Sequence, residues 1–160
     1  MIRLTKLADY GIVLLSHVAN RLPGEIFTAK QLADAEQIPA PMASKILKIL
    51  ARQGLLLAHR GVNGGYCLGR RAEDITVADV IRALEGPIAL TECIEVSDSD
   101  CAIELGCPVK SNWQRINDAV IGALEQIKIS EMAPPSCCSE APETLQIMLP
   151  RERTESAVAV

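Results

Sequence analysis

The chain has 160 residues, enough for one domain of ordinary size and an appendage. Apolar residues make up 49% and aromatics only 2%, so the core must be built from Leu, Ile, Val and Ala, which suits helix packing better than a β-sandwich. The net charge of −4 argues at first against nucleic acid, but it divides into +3 over residues 1–90 and −7 over residues 91–160, which predicts two separate tasks.

No apolar run approaches the roughly 18 residues of a membrane span. The opening "MIRLTKLADYG" lacks a long apolar region and a cleavage site, so no membrane partner and no secretory signal are expected. The expected setting is cytoplasmic. There, clustered cysteines bind metal or do redox chemistry in preference to forming disulfides.

In chain order, residues 5–20 read as a helix, with Leu7, Gly11, Leu14, Leu15 and Val18 on one stripe. "RLPGEIF" breaks it. Thr28-x-x-Gln31 is a capping box that opens a second helix. After the turn "QIPAP", a third helix, "MASKILKILARQ", follows Pro41 and stops before Gly54. "LLLAHR" and "YCLG" read as short strands joined by "GVNGG", where Asn and Gly accept positive φ. A fourth helix begins at Thr76, with Asp79 three residues on, and ends before Gly86. After Pro108, residues 111–132 read as one long helix with Trp113, Ile116, Val120, Ala123, Leu124 and Ile127 at spacings of 3 and 4. From Ala133 the chain is rich in Pro, Ser and Glu and reads as a disordered tail. The division is 1–86, 87–110, 111–132 and 133–160.

Three helices followed by a hairpin with a glycine-rich tip is the order of a winged helix-turn-helix, so the fold class is mainly α with a small β-hairpin wing. The third helix is the recognition helix. Ser44, Lys45, Lys48 and Arg52 form its polar side, against Ile46, Leu47, Ile49 and Leu50 on the buried side. Ser44, Lys45 and Lys48 can reach a major groove or phosphates, and Thr28 begins the helix before. His59, Arg60 and Asn63 lie at the wing, where Arg60 can enter a minor groove. Taken alone, Lys45, Lys48 and Arg52 would be read as a solvated helix face; the capping box, short turn and wing favour a double-stranded DNA operator. A net +3 is small, so a single domain should bind weakly, and a dimer would read two half-sites about 34 Å apart.

The segment "TECIEVSDSDCAIELGCPVK" holds Cys93, Cys101 and Cys107 at C-x7-C-x5-C spacing, with Glu92, Glu95, Asp98, Asp100 and Glu104 around them. Thiolates are the soft ligands of zinc, Cu(I) and iron–sulphur clusters. Structural zinc sites show close C-x2–4-C pairs, which are missing here. A cluster tolerates wider spacing, and the carboxylates would lower its reduction potential. The alternatives are a zinc site and three unrelated thiols. His17 and His59 are the only histidines and neither reads as a ligand; Asp9, Glu104, Lys110 and an external thiol remain as the fourth. Cys67 reads as a small buried residue of the wing. Cys137 and Cys138 fit no site.

The stretches "MIRLTKLADYGIVLL", "MASKILKILARQGLL", "RGVNGGYCLGR" and "ITVADVIRALEGP", with the three-cysteine loop, together resemble the iron–sulphur regulators of the IscR/NsrR family over about residues 1–132. Within it the pattern looks nearest to regulators of SUF-type iron–sulphur assembly and related iron-responsive repressors. The resemblance implies a homodimer paired through the long C-terminal helix, and a cluster on Cys93, Cys101 and Cys107. In the assembly-regulator branch a histidine stands three residues after the third cysteine, whereas this chain has Lys110. In the nitric-oxide-sensing branch an aspartate near the start of the first helix completes a 4Fe–4S cluster from the partner subunit, and Asp9 matches it. Without the ligand role, Asp9 is a solvated charge in a first helical turn. The missing histidine favours 4Fe–4S over 2Fe–2S.

The expected function is therefore a dimeric transcriptional regulator of iron–sulphur assembly or iron-homeostasis genes, with a nitric-oxide-sensing repressor as the alternative. From another class, a small cluster-carrier or redox protein would leave the wing and recognition helix unexplained. No nucleophile–base pair, phosphate loop or cofactor fingerprint is present, so no enzyme and no small-molecule substrate are expected.

Overall fold

The computed structural model describes residues 3–94, 101 and 106–132. The acidic tail with Cys137 and Cys138, and the carboxylates Glu95, Asp98, Asp100 and Glu104, lie outside the described residues.

Helix α1 (Lys6–Ala19) is capped by Thr5, whose hydroxyl accepts from the Leu7 and Ala8 N–H groups at 3.2 and 3.3 Å. Its buried side carries Ala8, Gly11, Ile12, Leu14, Leu15 and Val18. Helix α2 (Ala29–Ala35) opens on the expected capping box: Gln31 N–H donates to Thr28 Oγ1 at 3.2 Å, and Thr28 N–H donates to Gln31 Oε1 at 2.8 Å. Helix α3 (Ala40–Arg52) starts before Pro41, not after it, because proline fits the first turn, where its missing N–H has no partner to lose. Gly54 ends the segment at φ 73°.

Strands β1 (Leu56–His59) and β2 (Gly65–Leu68) pair antiparallel, Leu56 opposite Leu68 and His59 opposite Gly65. Phe27 adds a short third rung, exchanging backbone hydrogen bonds with Tyr66 at 2.8 and 2.9 Å. At the tip only Gly61 takes a positive φ, 113°; Asn63, Gly64 and Gly65 do not. Glycine is needed at 64 and 65 for a different reason. A Cβ at Gly64 would lie 2.5 Å from the His59 carbonyl oxygen, and one at Gly65 would lie 2.5 Å from that of Phe27. The hairpin and the Phe27 strand approach too closely for any side chain.

Helix α4 (Val77–Glu85) has its own capping box, Thr76 with Asp79, both arms at 3.0 Å. Gly86 terminates it at φ 92°. The long helix expected over 111–132 is two helices, α5 (Lys110–Gln126) and α6 (Ile129–Met132). Ile127 is extended because its carbonyl accepts from Val77 N–H at 3.0 Å, while Ile129 N–H donates to the Ile75 carbonyl at 2.9 Å. Tertiary pairing here overrides helix propensity.

The core is aliphatic. Leu14, Leu15, Leu32, Ile46, Leu47, Leu50, Leu55, Leu56, Ile75, Val80 and Ile129 are fully buried, and α1 packs on α3, α4 and α6. Burying each such side chain stabilises by roughly 1.5–3 kcal/mol. Cys67 is buried as expected, whereas Ile49 is only half-buried.

Gly65→Ala should therefore lower stability by about 1–3 kcal/mol, because the atom its Cβ meets is backbone and cannot swing away. An unchanged urea midpoint would show that the wing does not need that close approach.

Candidate nucleic-acid interface and cysteine loop

The α3 face away from Ile46, Leu47 and Leu50 presents Lys45, Lys48 and Arg52 to solvent, with Ser44 half-buried beside them. Arg60 and Asn63 are exposed at the wing tip. Among the described residues, Lys45, Lys48, Arg52 and Arg60 have no carboxylate partner. Their charge is thus available to phosphates, and helix and wing supply a groove reader and a second contact. Glu73, which belongs to neither surface, has its carboxyl held below the usual range, first by a backbone hydrogen bond and then by Arg71.

Two of the expected contact residues are already engaged. The Thr28 hydroxyl donates to Gln31 Oε1 at 2.9 Å and accepts from Gln31 N–H, so it can donate to a phosphate only by leaving its cap. The His59 ring lies across the strand from Cys67, with Nε2 at 3.3 Å from Sγ. Val62, fully exposed at the tip, was not singled out by sequence reasoning; an apolar side chain placed so can wedge against a base step. His17 is a structural residue: Nδ1 pairs with Glu36 Oε1 at 2.5 Å, and its ring stands edge-on to Phe27.

The cysteine loop leaves α4 at Gly86. Residues 88–90 lie against α5, held by Asn117: Leu90 N–H donates to Oδ1 and Nδ2 donates to the Ile88 carbonyl, both at 3.1 Å. Cys93 sits in a 3-10 turn, Glu92–Ile94, with its sulphur 3.3 Å from Thr91 Oγ1. A cavity of about 530 Å³ is lined by Ala89, Leu90, Thr91, Glu92, Cys93 and Cys101. Cys107 stands outside that lining, at the foot of α5, where its carbonyl accepts from Lys110 N–H at 3.4 Å. All three thiols are half-buried.

The structure thus brings two of the three cysteines to one cavity. Among the described residues no three His, Cys, Asp or Glu side chains converge on one metal position. Asp9 is exposed in the first turn of α1 and does not line the cavity within its own chain. The donor set suits a thiophilic group: two cysteines line one space and a third stands near the end of the same loop. Sequence reasoning missed Asn117, although it stands on the helical spacing of Trp113, Val120 and Leu124, where a lone amide among apolar residues is a signal.

The sequence profile of the Rrf2 family, described as an iron-dependent transcriptional regulator, matches residues 4–135. The HTH-type transcriptional regulator NsrR of Bacillus subtilis (strain 168) is 30% identical over 122 residues, 76% of this chain and 82% of that protein. NsrR of Shouchella clausii (strain KSM-K16) is 27% identical over 130 residues, 81% and 87% of the two chains. Among solved structures, CymR (YrzC), the global cysteine regulator of B. subtilis, superposes with a TM-score of 0.66 at 28% identity, covering 83% of this chain and 97% of that one. T. potens IscR superposes at 0.62 and 24% identity over 82% and 85%, a likeness of fold. These matches, over a winged helix with a solvent-exposed cationic face, show that the chain belongs to the Rrf2 family and is a DNA-binding transcriptional regulator, not an enzyme.

Proposed function

We propose that the chain acts as a homodimer whose affinity for its operator is set by an iron–sulphur cluster on Cys93, Cys101 and Cys107. The observation that carries this is the cavity lined by residues 89–93: it gathers Cys93 and Cys101, eight residues apart in the chain, onto one space. The family's description as iron-dependent supports it. A bound cluster would supply iron–thiolate bonds between the ends of the loop. Its nuclearity is read as 4Fe–4S, because Lys110 stands where the assembly-regulator branch has a histidine and Asp9 of the partner would take the fourth position; 2Fe–2S is the alternative.

The chain's own residues do the rest. Residues 1–86 read DNA, with Lys45, Lys48 and Arg52 on α3 and Arg60 and Asn63 on the wing; Ser44 and, if it leaves its cap, Thr28 complete the set, and His59 supports the wing through Cys67. Residues 87–110 form the sensing loop. Within 111–132, α5 supplies the dimer contact: Trp113 and Ile116 remain 38% and 46% exposed, and a second α5 would cover them. The dimer spaces two heads for half-sites about one helical turn apart. Ordering of the loop favours the spacing that fits, and a coupling of about 1–3 kcal/mol changes affinity roughly 5- to 150-fold. The target genes are those of SUF-type assembly or iron homeostasis. The likeness to CymR, titled a global cysteine regulator, motivates a second reading in which the same thiols report thiol status without a cluster. Nitrosylation of the cluster is a second possible signal; titration with nitric oxide and, separately, with an iron chelator ranks the two.

Anaerobically purified protein should show a visible chromophore with matching iron and sulphide. Cys101→Ala should abolish it and weaken operator binding within the 5- to 150-fold range, about 1–3 kcal/mol. Equal operator affinity for the mutant and the loaded protein would refute the coupling, and a colourless protein with stoichiometric zinc would refute the cluster. Asp9→Ala should alter the spectrum while leaving the fold intact; an unchanged spectrum removes Asp9 from the site.

Lys48→Ala should reduce the slope of log K against log salt by about 1 per lost phosphate contact, doubled in a dimer, and weaken specific and non-specific DNA alike. An unaltered slope would return Lys48 to a merely solvated face.

A further inference from the structure

Asn117 is the one buried residue of the seventeen-residue helix α5, and it is polar, 2% exposed. Trp113 and Ile116 on the same helix stay exposed while this amide is buried. Burying an amide is unfavourable unless its hydrogen bonds are replaced. Both are: Oδ1 accepts from Leu90 N–H and Nδ2 donates to the Ile88 carbonyl, each at 3.1 Å. The orientation of the amide is fixed by its partners, since reversing it would face donor to donor and acceptor to acceptor. A leucine, branched at the same carbon though bulkier, would fill the space but accept no particular register of the loop. The amide accepts only the one in which Ile88 and Leu90 sit on either side of it. Three residues after Leu90 comes Cys93, and Leu90 itself lines the cysteine cavity.

The geometry points to Asn117 as the positioning residue that locks the start of the cysteine loop to the dimer helix, so that a change in the loop is passed to α5 and from there to the spacing of the DNA-binding heads. This rests on the proposed function for its signal, though not for the tether itself. The backbone at Ile88 and Leu90, three residues before Cys93, can leave Asn117 only by breaking a two-point hydrogen bond to a single side chain. Elsewhere α5 is tied to the head near its C-terminal end, by Arg82 Nη2 donating to Glu125 Oε1 at 2.6 Å and by the pairing of residues 127 and 129 with 77 and 75. Asn117 is therefore placed to report the loop at one point of α5 while the helix end stays anchored.

The test uses the full chain, loaded and cluster-free, as wild type, Asn117→Leu and Asn117→Asp. Leu keeps the branching at Cγ, with more bulk, and removes both hydrogen bonds; Asp keeps the acceptor for Leu90 N–H and loses the donor to Ile88. Two quantities are read: hydrogen exchange at the Leu90 amide in the cluster-free protein, and the ratio of operator affinities between loaded and cluster-free forms. Wild type should protect Leu90, Asn117→Leu should expose it with the α1 and α3 amides unchanged, and Asn117→Asp should keep it protected. The affinity ratio should fall from the roughly 5- to 150-fold range toward unity in Asn117→Leu and lie between in Asn117→Asp.

A wild-type ratio in a loaded Asn117→Leu protein would overturn the proposal, as would a Leu90 amide that exchanges equally fast in wild type. If Asn117→Leu does not fold, the wild-type Leu90 amide and the Asn117→Asp ratio decide. A wild-type protein that binds no iron sinks the cluster reading by itself, and the Leu90 exchange still judges the tether.

Discussion

The antiparallel pairing of residues 127 and 129 with 77 and 75 is the constraint on which the rest of the molecule depends. Two backbone hydrogen bonds, at 3.0 and 2.9 Å, turn the chain out of α5 and return Ile129 to full burial in the core. The same ladder delivers Val77 into α4, so α4 begins where α5 ends. Two helices pinned at one end leave the cysteine loop one route, from the far end of α4 to the start of α5. On α5, Trp113 and Ile116 are the exposed apolar residues through which a second copy would be met in the proposed dimer.

Much of the head was readable because its signals are local. A capping box needs only residues three apart, and both Thr28–Gln31 and Thr76–Asp79 formed. Gly54 and Gly86 ended their helices in the left-handed region for the reason a sequence can state. What could not be read depends on distant partners. Residues 127–132 carry nothing that stops a helix; the break is imposed by Ile75 and Val77, some fifty positions earlier. Gly64 and Gly65 looked like turn glycines but are clearance for other backbone, including the strand at Phe27. The three thiols were visible as donors, yet only the fold shows that Cys93 and Cys101 share a cavity while Cys107 waits at the helix foot. Asn117 lay in plain view in the stripe, and its meaning came only with its partners at 88 and 90.

The charge division follows the same architecture. The basic residues that matter are few, and among the described residues the head leaves them without a carboxylate partner on α3 and the wing, while its own carboxylates cap helices or pair elsewhere, as Asp79 does at Thr76 and Glu36 with His17. A head with so modest a charge gains most from being used twice, because phosphate contacts accumulate with each copy. In the proposed dimer, that dependence on a second copy is also what would make the loop useful. A regulator that bound tightly as a monomer would be indifferent to the geometry of α5.

The energies suit this arrangement. Two neutral hydrogen bonds contribute about 1–3 kcal/mol together, the same order as a typical coupling between two sites. An apolar anchor under the loop would hold with comparable strength, but it would tolerate sliding and so transmit little. An amide that demands one register makes the loop either seated or unseated, and such two-state elements are what carry coupling across a protein. Holding stability in the aliphatic head and register in one buried amide lets the loop beyond Ile88 come loose without unfolding the reader, since Ile88 packs against the core but Cys93 has no place in it.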